Sequence, residues 1–448
     1  MICKITIFLR HGQIILQKVK KMTIFAPVMK NRRTMKRIIM AFSLCLSLQG
    51  AGAWHKIENS SFKSLQVVLN DDWTKLPIMK LGSSDVLRIS FDELSHNYRR
   101  LIYRLEPCNP DWTPCDGLFE SDWLEGFNDR PIDNYVNSLN TTVLYTHYEM
   151  QLPNDDTRLK MSGNYKLHII DEEEEEEVML VEFRVVEPLM DVVVGVTTNT
   201  DIDMNQSHQQ VMMNVRYNSL KVTNPSEQIQ TFVMQNGRED NMKENVRPNY
   251  TQTTGLTWEH NKGLIFEAGN EYRKYEVLDP SHPTMGLAHV AWEEEEGRFH
   301  AIPFYAEPQR NYVYDVDANG AFVVRNSDNV EIDNTSDYVY VHYKMKPYRQ
   351  YADARVVVDG RWAVEPEENY VMTWDESDQS YNAVVLQKLG YYNYQILMKD
   401  LDGTTHLMPE EGSFYQTENS YTALVYYKEQ GGRSWRLVGM KSVSFGSR

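Results

Sequence analysis

Short runs in which apolar and polar side chains alternate with period two recur along most of this chain, and that pattern leaves few folds open to it. Residues 86–91, 100–105, 165–169, 181–185, 210–215, 228–233, 337–343, 392–396 and 421–426 all show it. Period two belongs to a strand with one buried face, because successive Cβ atoms point to opposite sides of a sheet. Turn-forming pairs stand between the runs: Asn236-Gly237, Asn319-Gly320, Asp359-Gly360 and Asp402-Gly403. Such pairs enter positive φ at little cost and so favour hairpins. Few stretches repeat apolar residues at helical spacing. The expected class is all-β, as tandem immunoglobulin-like β-sandwich domains behind an N-terminal export signal.

The chain has 448 residues, several times the roughly 100 of one such sandwich. Glu187-Pro188 separates two strand patterns, and another strand begins after the polar stretch 333–336. The expected units are therefore 54–187, 188–335 and 336–448, the last resembling a glycogen-binding module. Ahead of them, Lys36 and Arg37 lead into the apolar run 38–48 and the small residues Ala51-Gly52-Ala53, the layout of a signal peptide over 35–53. Translation is expected to start at Met35, with 1–34 an over-extended gene start. The apolar run falls well short of the ~20 residues that cross a bilayer, and no later stretch approaches that length. No membrane span is expected. An N-terminal anchor helix is the alternative, and a mature N-terminus at Trp54 would exclude it.

Charge narrows the partners. The chain carries 46 Lys plus Arg and 63 Asp plus Glu. Ten of the basic residues and none of the acids precede Trp54, which leaves 36 − 63 = −27 for residues 54–448. So acidic a body repels phosphate backbones, and no nucleic-acid partner is expected. The acidic run 171–177 lies between two strand patterns and is read as a solvated hairpin tip.

Cys3 and Cys45 fall in the segment expected to be removed, leaving Cys108 and Cys115. In an oxidising compartment, two cysteines in the proline-stiffened stretch 106–115 are expected to form a disulfide. A structural zinc site wants four Cys or His ligands, and the nearest histidine in sequence is His96. Asp315, Asp317, Asn319 and Gly320 match the first half of a calcium loop, but position twelve is Asn326 where a bidentate Glu is required. A turn is the expectation there.

No Gly-x-Ser-x-Gly elbow, His-Glu-x-x-His, phosphate-binding glycine loop or dinucleotide fingerprint occurs. The histidines are scattered and are read as sheet-face residues. No catalytic residue, metal ligand or cofactor is assigned. A glycosidase needs only two suitably spaced carboxylates, which an acidic chain always offers on paper.

The stretches 355–362, 372–375 and 381–394 resemble starch- and glycogen-binding sandwich modules. In those modules, aromatic rings at a glycine turn and in a Gly-Tyr-x-Tyr strand stack on sugars. Trp362, Trp374, Tyr391, Tyr392 and Tyr394 would supply the rings. The plainer reading has alternate aromatics fill the sandwich core. On this resemblance, an exported glycan-binding protein is the alternative function.

A wider resemblance covers nearly all the expected mature chain. Its motifs, in order, are Tyr103-Arg-Leu-Glu-Pro-Cys-Asn-Pro-Asp-Trp112, Leu124-Glu-Gly-Phe-Asn128, Tyr145-Thr-His-Tyr148, Leu152-Pro-Asn154, Ser162-Gly-Asn-Tyr165, Gln235-Asn-Gly-Arg238, Gly269-Asn-Glu-Tyr-Arg273, Asp337-Tyr338, Gly390-Tyr-Tyr-Asn-Tyr394 and Thr417-Glu-Asn-Ser-Tyr421. Together they resemble the type IX secretion plug family of Bacteroidota. The resemblance implies a non-enzymatic periplasmic protein that docks on a very large outer-membrane translocon barrel and closes its pore when no substrate is passing. Cys115 stands where a small hydroxyl residue is expected in the family, so the disulfide is not among its implications. An acidic plug would be steered by basic patches on its barrel, which predicts docking that weakens as salt rises.

Overall fold

Alternation in sequence becomes alternation of burial. In the computed structural model, which describes residues 55–446, the strand Gly163–Asp171 buries Tyr165, Leu167 and Ile169 while Lys166, His168 and Ile170 between them stay partly open. The gene start expected over 1–34 and the signal expected over 35–53 lie outside the described residues. Gly163–Asp171 pairs with Glu176–Val186, and the acidic stretch between them is the hairpin tip. Asp171 closes that tip by accepting the backbone N–H groups of Glu173 and Glu174 at 2.9 and 3.2 Å. The repelling carboxylates at its end point to water.

Strand dominates the described residues, and the α-helices among them are single turns such as Glu120–Trp123 and Ile332–Thr335. Among the described residues, six sheets build three sandwich cores. In the first, His55–Ile57, Glu176–Val186, Gly163–Asp171, Leu101–Cys108 and Arg130–Pro131 lie in that order, with Ile78–Lys80 added in parallel to Glu176–Val186. Facing them are Phe62–Leu69, Leu87–Glu93, Thr146–Leu152 and the edge strand Asn134–Asn137. Phe62, Phe91, Tyr148, Tyr165 and Phe183 fill the space between. Each large apolar side chain fully buried there contributes roughly 1.5–3 kcal/mol.

Chain order and core membership part company after residue 267. The second core draws on residues 190–266 and then on 421–438, whereas the third uses 275–408. The third sandwich thus sits between two halves of the second along the chain, and two sheets take strands from both sides of residue 336. One of them joins Ile229–Gln235 to Ser420–Tyr427. Both strands are apolar on both faces, because this sheet is covered twice. Val233, Ala423 and Val425 enter the second core, while Phe232, Met234, Leu424 and Tyr426 meet Ile78 and Val186 of the first sandwich. The third sandwich is one ten-stranded sheet in which Gly390–Asp400 pairs with Arg273–Val277, Ala354–Asp359, Phe322–Val324 and Thr405–Leu407. It meets the first sandwich at a small cluster of Val143, Tyr145 and Tyr338.

Candidate functional site

The aromatic residues singled out from the sequence lie mostly inside. Trp362 is 7% exposed and Tyr392 3%. The Trp362 indole N–H donates to the Asn393 carbonyl at 2.8 Å and its ring stacks on Tyr343. Tyr392 stacks on Tyr275 and Phe322. Trp374 is half-buried with its edge toward Tyr381, and half-buried Tyr391 faces Trp73. Three of the five rings offered for sugar stacking, Trp362, Tyr392 and Tyr394, are core residues. The reason is register: the Gly-Tyr-Tyr-Asn-Tyr strand turns Tyr392 and Tyr394 to the same inner face.

Near the other expected sites, local hydrogen bonds dominate. Asp317 accepts the N–H groups of Tyr272 and Asn319, and Asp315 pairs with Lys274 at 2.6 Å. Asn319 and Gly320 both take positive φ, and Ala321 N–H closes the turn on the Ala318 carbonyl at 3.1 Å. Burial pushes the Asp317 carboxyl up to about 6. Cys108 ends a strand and Cys115 follows the turn that brings the chain back, with the Cys115 N–H donating to the Pro107 carbonyl at 3.0 Å. Both are free thiols here. Burial pushes them up to about 12 and about 11, so neither is a ready thiolate.

One buried polar cluster was not foreseen from the sequence. Asp92, on Leu87–Glu93, is fully buried between the first and third sandwiches. Its carboxylate receives the Lys388 ammonium and the Tyr338 hydroxyl, each at 2.6 Å, and its other oxygen lies 2.6 Å from His147 Nδ1. Lys388 also donates to the Asp333 carbonyl at 2.6 Å and lies 4.1 Å from the centre of the Tyr145 ring. Burial alone would push Asp92 up, but Lys388 and His147 outweigh it and hold the carboxyl below its usual range. Burial likewise draws Lys388 down against the pull of Asp92. Beside this cluster, Asp337 accepts the backbone N–H groups of Thr142 and Val143 at 2.7 and 3.1 Å. These contacts clamp residues more than 190 positions apart. Neither His147 nor Lys388 falls in an alternating run read from the sequence, and no local signal pairs either with Asp92.

A cavity of about 100 Å³ opens where parts of all three sandwiches converge on Trp73, Arg238, Tyr272, Asp359 and Arg361. Arg361 donates to the Thr74 carbonyl at 2.8 Å. Elsewhere, large apolar side chains face water in two stretches. Phe304, Tyr305, Val313, Tyr314 and Val316 lie along the largely irregular segment 304–316. Tyr135 and Val136 lie on the edge strand Asn134–Asn137, and Phe127, Leu139 and Leu144 lie in the chain before and after it. Exposed apolar surface, where contiguous, marks contact with proteins, membranes or ligands.

Comparison with known proteins points to a secretion-system family. Residues 62–187 match the family model described as the type 9 secretion system plug protein first domain. A hypothetical protein from Parabacteroides merdae, known from its crystal structure, is 32% identical, with a TM-score of 0.83 over 87% of this chain and 99% of its own. The C-terminal domain of a Streptococcus pyogenes antigen I/II-family protein reaches only 7% identity and a TM-score of 0.17, too low to inform the fold. No curated protein matches the chain.

Proposed function

We propose, for a chain that belongs to the type 9 secretion system plug protein family, that it docks on the periplasmic side of a giant outer-membrane translocon barrel and closes the pore when no cargo is passing. Membership makes it a secretion-system component. The finer role is supported most directly by the way its sandwiches are joined. A plug must hold its shape across a wide opening, and here the first sandwich is fastened to the other two through buried side chains rather than flexible linkers. The exposed aromatic and aliphatic residues of 304–316 and 127–144 give such a body apolar side chains to set against a partner. The acidic balance would let basic patches on the barrel steer it.

Affinity capture of the tagged full chain from gently solubilised envelopes of its own organism tests the reading. A very large barrel protein should be the dominant partner, and its recovery should fall as salt rises. Capture without any barrel, from cells shown to express one, would overturn the proposal. Export is part of it: the mature N-terminus should be Trp54. So is a disulfide between Cys108 and Cys115, for which thiol titration of the denatured periplasmic protein should find no free thiol. Two free thiols would remove the disulfide and leave the docking reading intact.

A further inference from the structure

The buried cluster on Asp92 has an outer edge. His147 and Glu149 are two residues apart on Thr146–Leu152 and so share one face of their sheet. Asp333 comes from the single helical turn Ile332–Thr335. His147 is 5% exposed, and its Nδ1 lies 2.6 Å from Asp92 Oδ1. An ionised carboxylate only accepts, so the imidazole proton must sit on Nδ1. In the neutral ring that leaves the lone pair on Nε2, which is buried and has no hydrogen-bond partner among the described residues. Nε2 faces Asp333 Oδ1 at 4.0 Å. A ring nitrogen of His147, a Glu149 carboxylate oxygen and an Asp333 carboxylate oxygen all lie within 4.8 Å of one another.

We propose that His147, Glu149 and Asp333 bind a divalent transition-metal cation, with Zn2+ the best fit, between the first and third sandwiches. A histidine whose Nδ1–H is held by a carboxylate while Nε2 is offered outward is the usual second-layer arrangement behind a bound metal. One neutral imidazole and two carboxylates supply a charge of −2 against a dication. The nitrogen donor favours zinc-like ions over Ca2+ and Mg2+, which prefer all-oxygen sites. Three protein ligands leave room for water in a fourth position. Ligand distances near 2.1 Å require the three donors to close to separations of about 3.4 Å. Glu149 and Asp333, with side chains 23% and 36% exposed, have the freedom to move. Glu149 would give up its approach to Arg88, now at 3.6 Å. Lys388 holds the Asp333 backbone carbonyl and leaves its carboxylate available.

The test uses the full exported chain, stripped with a chelator and titrated with ZnCl2, CaCl2 or MgCl2 by calorimetry and thermal melting. One equivalent of Zn2+ should bind, with a saturating rise in melting temperature that Ca2+ and Mg2+ do not reproduce at equal concentration. Glu149→Gln and Asp333→Asn alter partly exposed groups, so they should fold as the parent does while each weakens Zn2+ binding at least tenfold. His147→Gln should abolish binding, but it also disturbs Asp92, so the two carboxylate variants decide. Absence of stoichiometric binding, or Zn2+ binding unchanged in the Glu149→Gln, Asp333→Asn double variant, would overturn the proposal.

Discussion

The first sandwich meets its two neighbours in chemically different ways. Against the second it presents an apolar surface in which Ile78 and Val186 pack on Phe232, Met234, Leu424 and Tyr426. Arg184 is buried there too, its side chain 2% exposed, but it pairs at 2.6 Å with the more open Glu239 and lies over the Trp112 ring. Against the third it presents Asp92, met by Lys388, His147 and Tyr338 with hardly any solvent access. An apolar contact tolerates small shifts, since dispersion and burial carry no strict direction. A buried ion pair fixes one geometry, because either partner left alone would be a desolvated charge. The contrast predicts that the third-sandwich junction fails sharply and the second-sandwich junction by degrees.

Several measurements would sharpen or break that contrast. Lys388→Ala should cost the most, about 3–5 kcal/mol by urea denaturation, because it strands Asp92. The double variant Lys388→Met, Asp92→Leu should recover a large part of that loss. If it does not, the charge is not what makes this junction brittle. Phe232→Ala, at the apolar junction, should cost about 3 kcal/mol through lost burial and the cavity left behind.

Next in size is a difference in pH response. Burial, with Glu239 nearby, pushes the Glu182 carboxyl up to about 7 against Lys166 and Arg184. Between about pH 4.5 and 7 the folded chain then keeps a proton that the unfolded chain has released, so stability falls as pH rises through that window. Glu182→Gln should flatten the slope, a change on the order of 1–2 kcal/mol across the window. Asp92 acts in the opposite sense. Its folded carboxyl lies below 3.8, so its contribution is complete above that pH and is lost as pH falls through the folded value. A melting-temperature profile from pH 3 to 8 reads both. The smallest effect belongs to Arg433 and Asp122, an ion pair at 2.9 Å with side chains 53% and 30% exposed. Arg433→Ala should change stability by less than about 0.5 kcal/mol.

The same division separates what was legible from what was not. The strand Gly163–Asp171 could be read from alternating Tyr165, Leu167 and Ile169, and the acidic tip after it from its charge alone. Membership in the plug family was also legible, since its motifs are spread along the chain and need no contact map. Trp362 and Tyr392 show where local reading divides. Exposed rings on a binding face and inward rings in a core have the same spacing, and only the packing of Tyr343 and Tyr275 against them tells the two apart. Asp92 was harder still. A carboxylate in an alternating strand looks like a solvent-facing residue until a lysine 296 positions later is found against it.

By itself the sequence determined the all-β class, the position of many strands, the acidic surface and the family, because each is written in spacing, composition or ordered motifs. Only the tertiary structure decided that Ser420–Tyr427 returns to pair with Ile229–Gln235, that the third core lies between the two halves of the second, and that Asp92, His147 and Lys388 meet. Strand pairing is set by backbone hydrogen bonds that any strand can offer. Which partner takes them depends on how the apolar faces of all three sandwiches are buried at once.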